Sequence, residues 1–309
     1  MLVLGIDGGG TKTTALLADG EGRILGRGFA GSSNYHTIGL AAAGEALLEG
    51  IRAAFAEAGE APRPVAAACL GLAGVDRPED RELIRAWARE ARVAEEVLVV
   101  NDGAIVLAAG TPDNWGVAVI SGTGSIAWGR NPDGATARAG GWGHLLGDEG
   151  SGYAIALEAL RAVARAADGR APATALSEAI LSRLGLPSPA ALIGYVYRRP
   201  LLPAEIAALA PLVDRAAGEG DEVAAGILRR AGEELALAAA TVAERLGLGR
   251  PRLPLALAGG VLRRSALVRE ELLAALEGRG WQAEPASVVD EPAQGAVRLA
   301  LAATTEGGG

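Results

Sequence analysis

The chain has 309 residues, of which 50% are apolar and 21% are charged, and its formal net charge is −8. This size suffices for two domains with cores of their own, and the acidic balance argues against non-specific nucleic-acid binding and polybasic membrane anchoring. A single cysteine, Cys69, and two histidines, His36 and His144, exclude a disulfide framework and a cysteine- or histidine-rich metal site within one chain. Since the sequence has neither a basic leader nor an apolar run of membrane-spanning length, it predicts a cytoplasmic protein without nucleic-acid or membrane partners.

The first third of the chain alternates short β-type runs with stretches of helical periodicity. The turn Asp19-Gly20-Glu21-Gly22 favours a hairpin between the second and third strands. This order of elements is typical of a mixed α/β sheet of the βββαβα kind. We predict strands at 2–7, 14–19, 24–30, 65–72 and 97–100, and helices at 39–58, 77–92 and 104–109.

A second cycle of strand, glycine turn and strand begins near Trp115, which indicates a duplicated architecture. Residues 149–246 are mostly helical in pattern, and we expect the Asp148-Glu149 pair to begin a helix, where acidic side chains suit the helix dipole. The tail, residues 306–309, is expected to be disordered. Further predicted elements are strands at 116–121, 125–130, 253–258 and 281–284, a short strand that reaches Gly140-Gly141, and helices at 265–276 and 291–303, the last with Pro292 in its first turn.

The first group of residues with chemical potential follows the first strand. Three glycines, Gly8, Gly9 and Gly10, allow a tight turn whose free N–H groups can cradle phosphate oxygens. Asp7, at the strand end, is placed to hold Mg²⁺ through water. The loop continues with two hydroxyls and the chain's single lysine, namely Thr11, Thr13 and Lys12. It lacks the spacing of a Walker A loop, and the alternative is a glycine-rich hairpin without function.

Two later glycine turns also follow strands and suit parts of a nucleotide. Gly122-Thr123-Gly124, between Ser121 and Ser125, suits a second phosphate contact, so that two hairpins would close on a triphosphate. Gly259-Gly260 follows the last long buried strand and would admit adenine or ribose, with Arg263 either in contact or solvated. Each of these turns, taken alone, is equally consistent with an ordinary turn.

A candidate base lies at the end of the 97–100 strand, in the sequence Asn101-Asp102-Gly103. Ligand groups in open α/β sheets gather at the carboxyl ends of strands, and an aspartate there can accept a proton from an attacking hydroxyl. The alternative is an ordinary N-cap for the helix that follows, and one motif can serve both purposes.

Two segments carry groups that a sugar requires. Residues 140–152 contain six glycines, two acids and a tryptophan, which is hard to explain as core and favours a loop that holds a polyol. Within this segment, we interpret His144 as structural rather than catalytic. Ser33-Asn34-Tyr35-His36 offers an amide, which both donates and accepts hydrogen bonds; its alternative interpretation is a simple turn.

In this order, the motifs resemble the actin-like ATPase superfamily and, within it, the N-acetylglucosamine kinase group of the BadF-type ATPases. The resemblance is nearly full length and most specific at residues 7–13, 121–125 and 140–151. It implies two ribonuclease-H-like α/β domains, each a mixed five-stranded sheet flanked by helices, with a cleft between them. The N-terminal domain would comprise residues 1–112 and a C-terminal helix at about 290–309, and the C-terminal domain residues 113–289.

The resemblance also implies an activity, the phosphorylation of the 6-hydroxyl of N-acetyl-D-glucosamine by ATP and Mg²⁺ in a homodimer. Asp102 would be the general base, and Asp7 would hold Mg²⁺ through water. Ile126 stands where family members can carry an amide, so no polar sugar contact is expected from it. The sugar would be bound by Asn34, Asp102, Ser125, Gly141, Trp142, Gly143 and Asp148, and ATP by Gly9, Gly10, Thr11, Lys12, Thr13, Gly122, Thr123, Gly124, Ala217, Gly259, Gly260 and Arg263.

Three alternatives accompany this interpretation. The first is a glucosamine kinase on the same fold. The second is an activator ATPase with a [4Fe–4S] cluster at a dimer interface, but such a cluster needs about four thiolates and two copies of Cys69 supply only two. The third is a nucleotide-dependent switch without catalysis, for which the 140–151 loop would be superfluous.

Overall fold

The computed structural model describes residues 1–306, so the end of the predicted tail, residues 307–309, lies outside the described range. The chain divides into two compact units. The first comprises Met1–Ala118 and the segment that begins at Val289, and the second comprises Val119–Val288. Among the residues described, no helix combines the length and the apolar character that a membrane span requires.

Strands and helices are numbered here in chain order. The strands are β1 (Leu2–Gly8), β2 (Thr13–Asp19), β3 (Ile24–Ala30), β4 (Val65–Leu72), β5 (Ala94–Asn101), β6 (Gly116–Ser121), β7 (Ser125–Arg130), β8 (Thr136–Gly140), β9 (Arg252–Ala258) and β10 (Gln282–Val288). The helices are α1 (Tyr35–Ile38), α2 (Leu40–Glu57), α3 (Pro78–Glu90), α4 (Asp102–Gly110), α5 (Gly152–Ala167), α6 (Leu176–Leu184), α7 (Ala191–Tyr197), α8 (Pro203–Ala207), α9 (Ala210–Gly218), α10 (Glu222–Arg245), α11 (Gly260–Arg264), α12 (Ala266–Glu277) and α13 (Ala293–Glu306).

The first unit is built on a mixed sheet with the strand order β3-β2-β1-β4-β5. β2 is antiparallel to both β1 and β3, whereas β4 is parallel to both β1 and β5. The predicted hairpin and the βββαβα order are therefore confirmed. In the parallel part, Gly8 is in register with Leu72, and Leu72 with Asn101. The ends of β1, β4 and β5 thus meet at one edge of the sheet, where open α/β folds bind their ligands.

Both faces of this sheet are covered by apolar side chains. Leu4 and Ile6 of β1 point to one face, where they form a core with α2 residues such as Phe55. Val3 and the thiol of Cys69 point to the other face, where α4 and α13 supply apolar partners. Burial on both sides explains why β1 and β4 read as nearly continuous apolar runs in the sequence. It also holds the strand ends in fixed positions beneath the polar loops.

The second unit contains a sheet with the order β10-β9-β6-β7-β8, in which β9 and β10 are parallel and β7 and β8 are antiparallel. The long helix α10 packs against β7, β8 and the helices α5, α9 and α12. Each unit is therefore a mixed five-stranded sheet flanked by helices, as predicted. The glycine turn between β6 and β7 occupies a place similar to that of the turn between β1 and β2.

Several predicted boundaries are wrong, for local reasons. Helix α5 begins at Gly152 rather than at the Asp148-Glu149 pair, because Ser151 caps it by accepting from the Ala154 N–H (3.1 Å), and Asp148 has a left-handed backbone with a φ of 63°. The last helix begins at Ala293, after Pro292, and includes Glu306, which was expected in the tail. The last strand extends to Val288. The short helices α1 and α11 were not predicted.

Candidate active site

The turn between β1 and β2 is held from its base and open at its tip. The Gly9 N–H donates to the Lys12 carbonyl (2.9 Å), and the Gly9 carbonyl accepts from the Ser33 N–H (3.2 Å). At Gly8, an added Cβ would lie 2.3 Å from the Ser33 Oγ, so a larger residue would have to displace the buried Ser33 side chain. Residues 10–12 are exposed at the tip. A phosphate group can therefore reach the backbone N–H groups of this turn.

The two threonines of this turn occupy different environments. Thr13 is fully buried, and its hydroxyl lies 2.8 Å from both the Gly31 carbonyl and the Ser33 hydroxyl. Its hydroxyl therefore stabilises the hairpin from within. Thr11 is exposed beside Lys12, the chain's single lysine. Of the two hydroxyls, the structure leaves that of Thr11 accessible to a ligand.

The carboxyl group of Asp102, directly after β5, has other acidic residues near it at this edge of the sheet. Burial raises the pKa of Asp102 to about 7, and the carboxylates of Asp7 and Asp76 raise it as well. Burial also raises the pKa of Asp7 to about 6, against the lowering effect of the Lys12 ammonium. Desolvation and like charge disfavour the ionised form of a carboxyl group. Asp102 is consequently a carboxyl group whose proton affinity suits proton transfer near neutral pH.

The adjacent Asn101, not Asp102, caps helix α4. The Asn101 Oδ1 accepts from the Gly103 N–H (2.7 Å), while its Nδ2 donates to the Asp76 Oδ1 (2.7 Å). Asp102 Oδ1 accepts from the same N–H at a longer distance of 3.0 Å. Because Asn101 satisfies the helix terminus, the cap does not depend on the carboxyl group of Asp102. The cap interpretation of this motif is thus confirmed, with Asn101 as the capping residue.

Asn34 lies beside a loop that the sequence motifs did not include. Its Oδ1 accepts from the His36 N–H (3.1 Å) and thereby caps the four-residue helix α1, in agreement with the turn interpretation. The His36 Nε2 lies 3.0 Å from the Gly74 carbonyl oxygen, and Gly74 belongs to the loop after β4. The sequence does offer a signal for this loop, because Gly74 and Asp76 follow a buried strand in the way that Asp102 follows β5.

In the second unit, the three glycine-rich motifs contact one another. The Gly152 N–H donates to the Gly122 carbonyl (2.8 Å), and the Ser121 hydroxyl donates to the Gly150 carbonyl (2.8 Å). Gly259, with a φ of 95°, packs so closely that an added Cβ would lie 2.2 Å from the Ser121 carbonyl oxygen. The turn at residues 121–125 therefore connects the 140–152 loop with the late glycine turn.

Asp148 is buried against the glycine turn despite its charge. An added Cβ at Gly124 would lie 2.7 Å from its Oδ2. Burial raises the pKa of Asp148, against hydrogen bonds from the Ser125 and Gly143 N–H groups, which lower it. The Ser125 hydroxyl donates to the Glu149 carbonyl (2.6 Å), so this side chain is engaged in holding the loop.

The tip of the 140–152 loop is exposed. Trp142 has 64% of its surface accessible, and the Arg138 guanidinium lies 5.1 Å from the centre of its ring. Gly141 has a φ of 68° and lies against the Ile126 side chain, which provides an apolar wall. The His144 ring packs edge to face on Tyr153 at 5.0 Å, which favours the structural interpretation of this histidine.

The remaining predicted nucleotide residues lie on two short helical segments. Gly259 precedes α11, and its carbonyl accepts from the Arg263 N–H (3.0 Å), so Gly260 and Arg263 belong to one helical turn. Ala217 is half-buried in the last turn of α9, where its carbonyl accepts from the Gly220 N–H (3.0 Å). No hydrogen bond among the described residues joins Ala217 to Gly259.

The chain contains two mixed five-stranded sheets, each flanked by helices. Each sheet has a glycine turn between two neighbouring strands, β1 and β2 in the first and β6 and β7 in the second. This arrangement is the actin-like ATPase fold. Residues 4–300 match the BadF/BadG/BcrA/BcrD ATPase family, and the chain belongs to this family. The predicted membership is thus confirmed. Cys69 is buried in β4, and burial raises the pKa of its thiol, as in an ordinary core residue rather than a cluster ligand.

Two curated relatives match nearly the whole chain. The N-acetylmuramic acid/N-acetylglucosamine kinase of Clostridium acetobutylicum is 38% identical over 96% of this chain and 97% of its own length. The N-acetyl-D-glucosamine kinase of Dictyostelium discoideum is 35% identical over 97% of this chain and 98% of its own length. A crystal structure from Chromobacterium violaceum, provisionally named an N-acetylglucosamine kinase, has a TM-score of 0.78 and 32% identity, and the match covers 97% of this chain and 98% of that one.

Proposed function

We propose that this chain is a cytoplasmic, homodimeric kinase that transfers the γ-phosphoryl group of ATP to the 6-hydroxyl of N-acetyl-D-glucosamine. The observation that carries the proposal is the carboxyl group of Asp102, which directly follows β5 and has a pKa raised to about 7. Support for the substrate comes from the names of the two full-length relatives, both of which include N-acetylglucosamine.

Asp102 would act as the general base. It accepts the proton of the 6-hydroxyl while that oxygen forms a bond to the γ-phosphorus and the bond from phosphorus to the ADP oxygen breaks. Phosphoryl transfer of this kind passes through a loose transition state, so catalysis is mostly positioning and charge stabilisation. Base assistance is expected to contribute about 10²–10⁴-fold to the rate. A carboxyl group of raised pKa suits this task because it both accepts and releases the proton near neutral pH.

Each unit would supply contacts of its own. In the first unit, we assign Asn34 and Asp102 to the sugar, and the exposed turn of Gly9, Gly10, Thr11 and Lys12 to ATP phosphates, with Thr13 as the buried support of that turn. In the second unit, the backbone of Ser125 and of residues 141–143, together with the Asp148 carboxylate, would bind sugar. ATP contacts there would come from Gly122, Thr123, Gly124, Ala217, Gly259, Gly260 and Arg263.

The residues of the first unit fit a magnesium ion that arrives with the nucleotide. Within residues 1–306, no three histidine, cysteine, aspartate or glutamate side chains are grouped as a metal cage. Mg²⁺ in nucleotide sites is commonly bound by one or two carboxylates, water and phosphate, so Asp7 alone suffices as the protein ligand. Bound there, the ion would neutralise phosphate charge. It would also relieve the repulsion between Asp7 and Asp102, which is a reason for two such acids to be tolerated.

A sugar panel tests the proposal. The purified chain is incubated with ATP and N-acetylglucosamine, N-acetylmuramic acid, glucosamine or glucose, and ADP release is followed in a coupled assay. We expect the largest kcat/KM for N-acetylglucosamine, with the phosphate at the 6-position of the product by NMR. A preference for glucosamine would favour the alternative kinase, and no stimulation by any sugar would favour a nucleotide switch. Light scattering of the same preparation tests the homodimer.

A further inference from the structure

One segment of the first unit contacts residues adjacent to both Asn34 and Asp102, although no sequence motif includes it. This segment, residues 74–80, leaves the end of β4 and enters the first turn of α3. We refer to it as the 74–80 segment. It carries two acids that point to two different neighbours, Asp76 and Asp80.

Asp76 contacts the residue that precedes the base. Its Oδ1 accepts a hydrogen bond of 2.7 Å from the Asn101 Nδ2, across 25 positions of sequence. Asn101 is only 7% exposed, and its other amide atom holds the Gly103 N–H at the start of α4. Asn101 is therefore fixed from both sides, and Asp102 is the next residue. A change at Asp76 would therefore reach Asp102 through this amide, in addition to the charge of Asp76, which raises the pKa of Asp102.

Asp80 contacts the segment that carries Asn34. It accepts a short hydrogen bond from the Tyr35 hydroxyl, and the His36 Nε2 lies 3.8 Å from its Oδ1. Gly74 adds a second attachment, because its carbonyl oxygen lies 3.0 Å from the His36 Nε2. Helix α1 has only four residues and no buried side chain of its own. Since so short a helix has little intrinsic stability, these contacts contribute to the position of Asn34, together with the hydrogen bond from its own N–H to the Ser32 hydroxyl (3.3 Å).

We propose that the 74–80 segment is a positioning element for the kinase reaction, in which Asp76 orients the base Asp102 through Asn101, and Asp80 orients the sugar-binding Asn34 through Tyr35. This inference rests on the proposed function. It predicts that the two acids, four positions apart, affect different kinetic constants. Orientation of the base concerns the transition state, whereas orientation of Asn34 concerns substrate binding.

Two single variants and a control test this division. Asparagine at position 76 or 80 replaces a charged acceptor by a neutral one, which weakens the hydrogen bond from Asn101 or Tyr35. Asp76→Asn should therefore lower kcat about 10-fold or more and change the KM for the sugar less than about 2-fold, because a less firmly oriented base weakens the transition state alone. Asp80→Asn should raise the KM for the sugar about 5-fold or more at nearly constant kcat. Glu79→Gln is the matched control, since Glu79 is an exposed acid between the two and its side chain takes no part in the contacts described above. It should leave both constants unchanged.

An exchange of groups distinguishes positioning from general destabilisation. The double variant Asp76→Asn with Asn101→Asp reverses donor and acceptor, keeps an acceptor for the Gly103 N–H, and should recover at least about one third of the kcat lost in Asp76→Asn. Unfolding temperatures of all variants are measured in parallel. The proposal is overturned if Asp76→Asn and Asp80→Asn behave like Glu79→Gln, if both shift kcat and KM together with stability, or if the exchange recovers nothing.

The same series separates this inference from the proposed function. Asp102→Asn is measured beside the other variants with N-acetylglucosamine and ATP. Full activity in Asp102→Asn would refute the base assignment itself. Loss of activity in Asp102→Asn together with unchanged kinetics in both segment variants would refute the positioning role alone. If a variant does not fold, Asp76→Glu or Asp80→Glu replaces it at the same position. Each retains the carboxylate acceptor but displaces it by one methylene group. The expected division is unchanged, with kcat affected at position 76 and the KM for the sugar at position 80.

Discussion

The two units carry glycine turns after comparable strands, but they differ in the groups that surround them. In the first unit, burial and the nearby carboxylates of Asp7 and Asp76 raise the pKa of the Asp102 carboxyl group. In the second unit, backbone groups dominate, because the hydroxyls of Ser121 and Ser125 are already bonded to carbonyl groups of the 140–152 loop. The first unit thus offers a titratable carboxyl group and the second mainly bonded backbone groups, so we expect substitutions to affect the two units in different ways.

The largest effect is expected at the base. Asp102→Asn should lower kcat at least about 100-fold at pH 8, because the amide cannot accept the hydroxyl proton, while the KM for ATP stays similar. Steady-state kinetics with N-acetylglucosamine measure both constants. Near-normal turnover would contradict the assignment and, with it, the contrast between the two units.

In the second unit, the strongest effect should come from a glycine. Gly259→Ala places a Cβ 2.2 Å from the Ser121 carbonyl oxygen at a φ of 95°. We expect it to lower the free energy of unfolding by about 3 kcal/mol or more and to raise the KM for ATP. The next residue offers a matched control, because a Cβ at Gly260 meets no atom within 4 Å. Equal urea midpoints for Gly259→Ala and Gly260→Ala would show that the close packing is absent.

A smaller effect is expected at the sugar-binding amide of the first unit. Asn34→Ala should raise the KM for the sugar about 10-fold and leave that for ATP unchanged, because the loss concerns substrate binding. Asn34→Ser separates this role from the cap of α1, since its hydroxyl can still accept from the His36 N–H. If Asn34→Ser restores the sugar KM completely, the amide acts only as a cap. A raised KM for ATP with an unchanged KM for the sugar would also contradict the assignment.

Features that depend on neighbouring residues could be predicted from the sequence, whereas features that depend on distant contacts could not. The strands β3 and β4 were predicted with the bounds that the structure has, since a glycine or proline stands within two residues of each end of both strands. Asp148 was misplaced because acids are favoured at helix starts, whereas Ser151 is the better cap and neighbouring glycines allow the left-handed turn at Asp148. The 74–80 segment was missed because its contacts to Tyr35 and Asn101 join residues 45 and 25 positions apart, and local patterns do not report such pairs.

The smallest expected effect is a gain in stability that opposes the loss of activity in Asp102→Asn. The carboxyl group of Asp102 has a pKa of about 7 in the folded chain, above its ordinary value of 3.8. The folded state therefore binds a proton that the unfolded state has released between about pH 4 and pH 7, so the wild type loses stability as the pH rises through this range. Asparagine carries no charge at any pH. Asp102→Asn should therefore unfold roughly 2–5 °C higher than the wild type at pH 8 and at nearly the same temperature at pH 4. Calorimetry at both pH values measures these unfolding temperatures.

Within the first unit, Asp80→Asn is the control, because Asp80 is not among the carboxylates that raise the pKa of Asp102. The Asp80→Asn variant should therefore show no such gain in stability at pH 8. If Asp102→Asn is less stable than the wild type at pH 8, the Asp102 carboxylate stabilises the first unit rather than destabilising it.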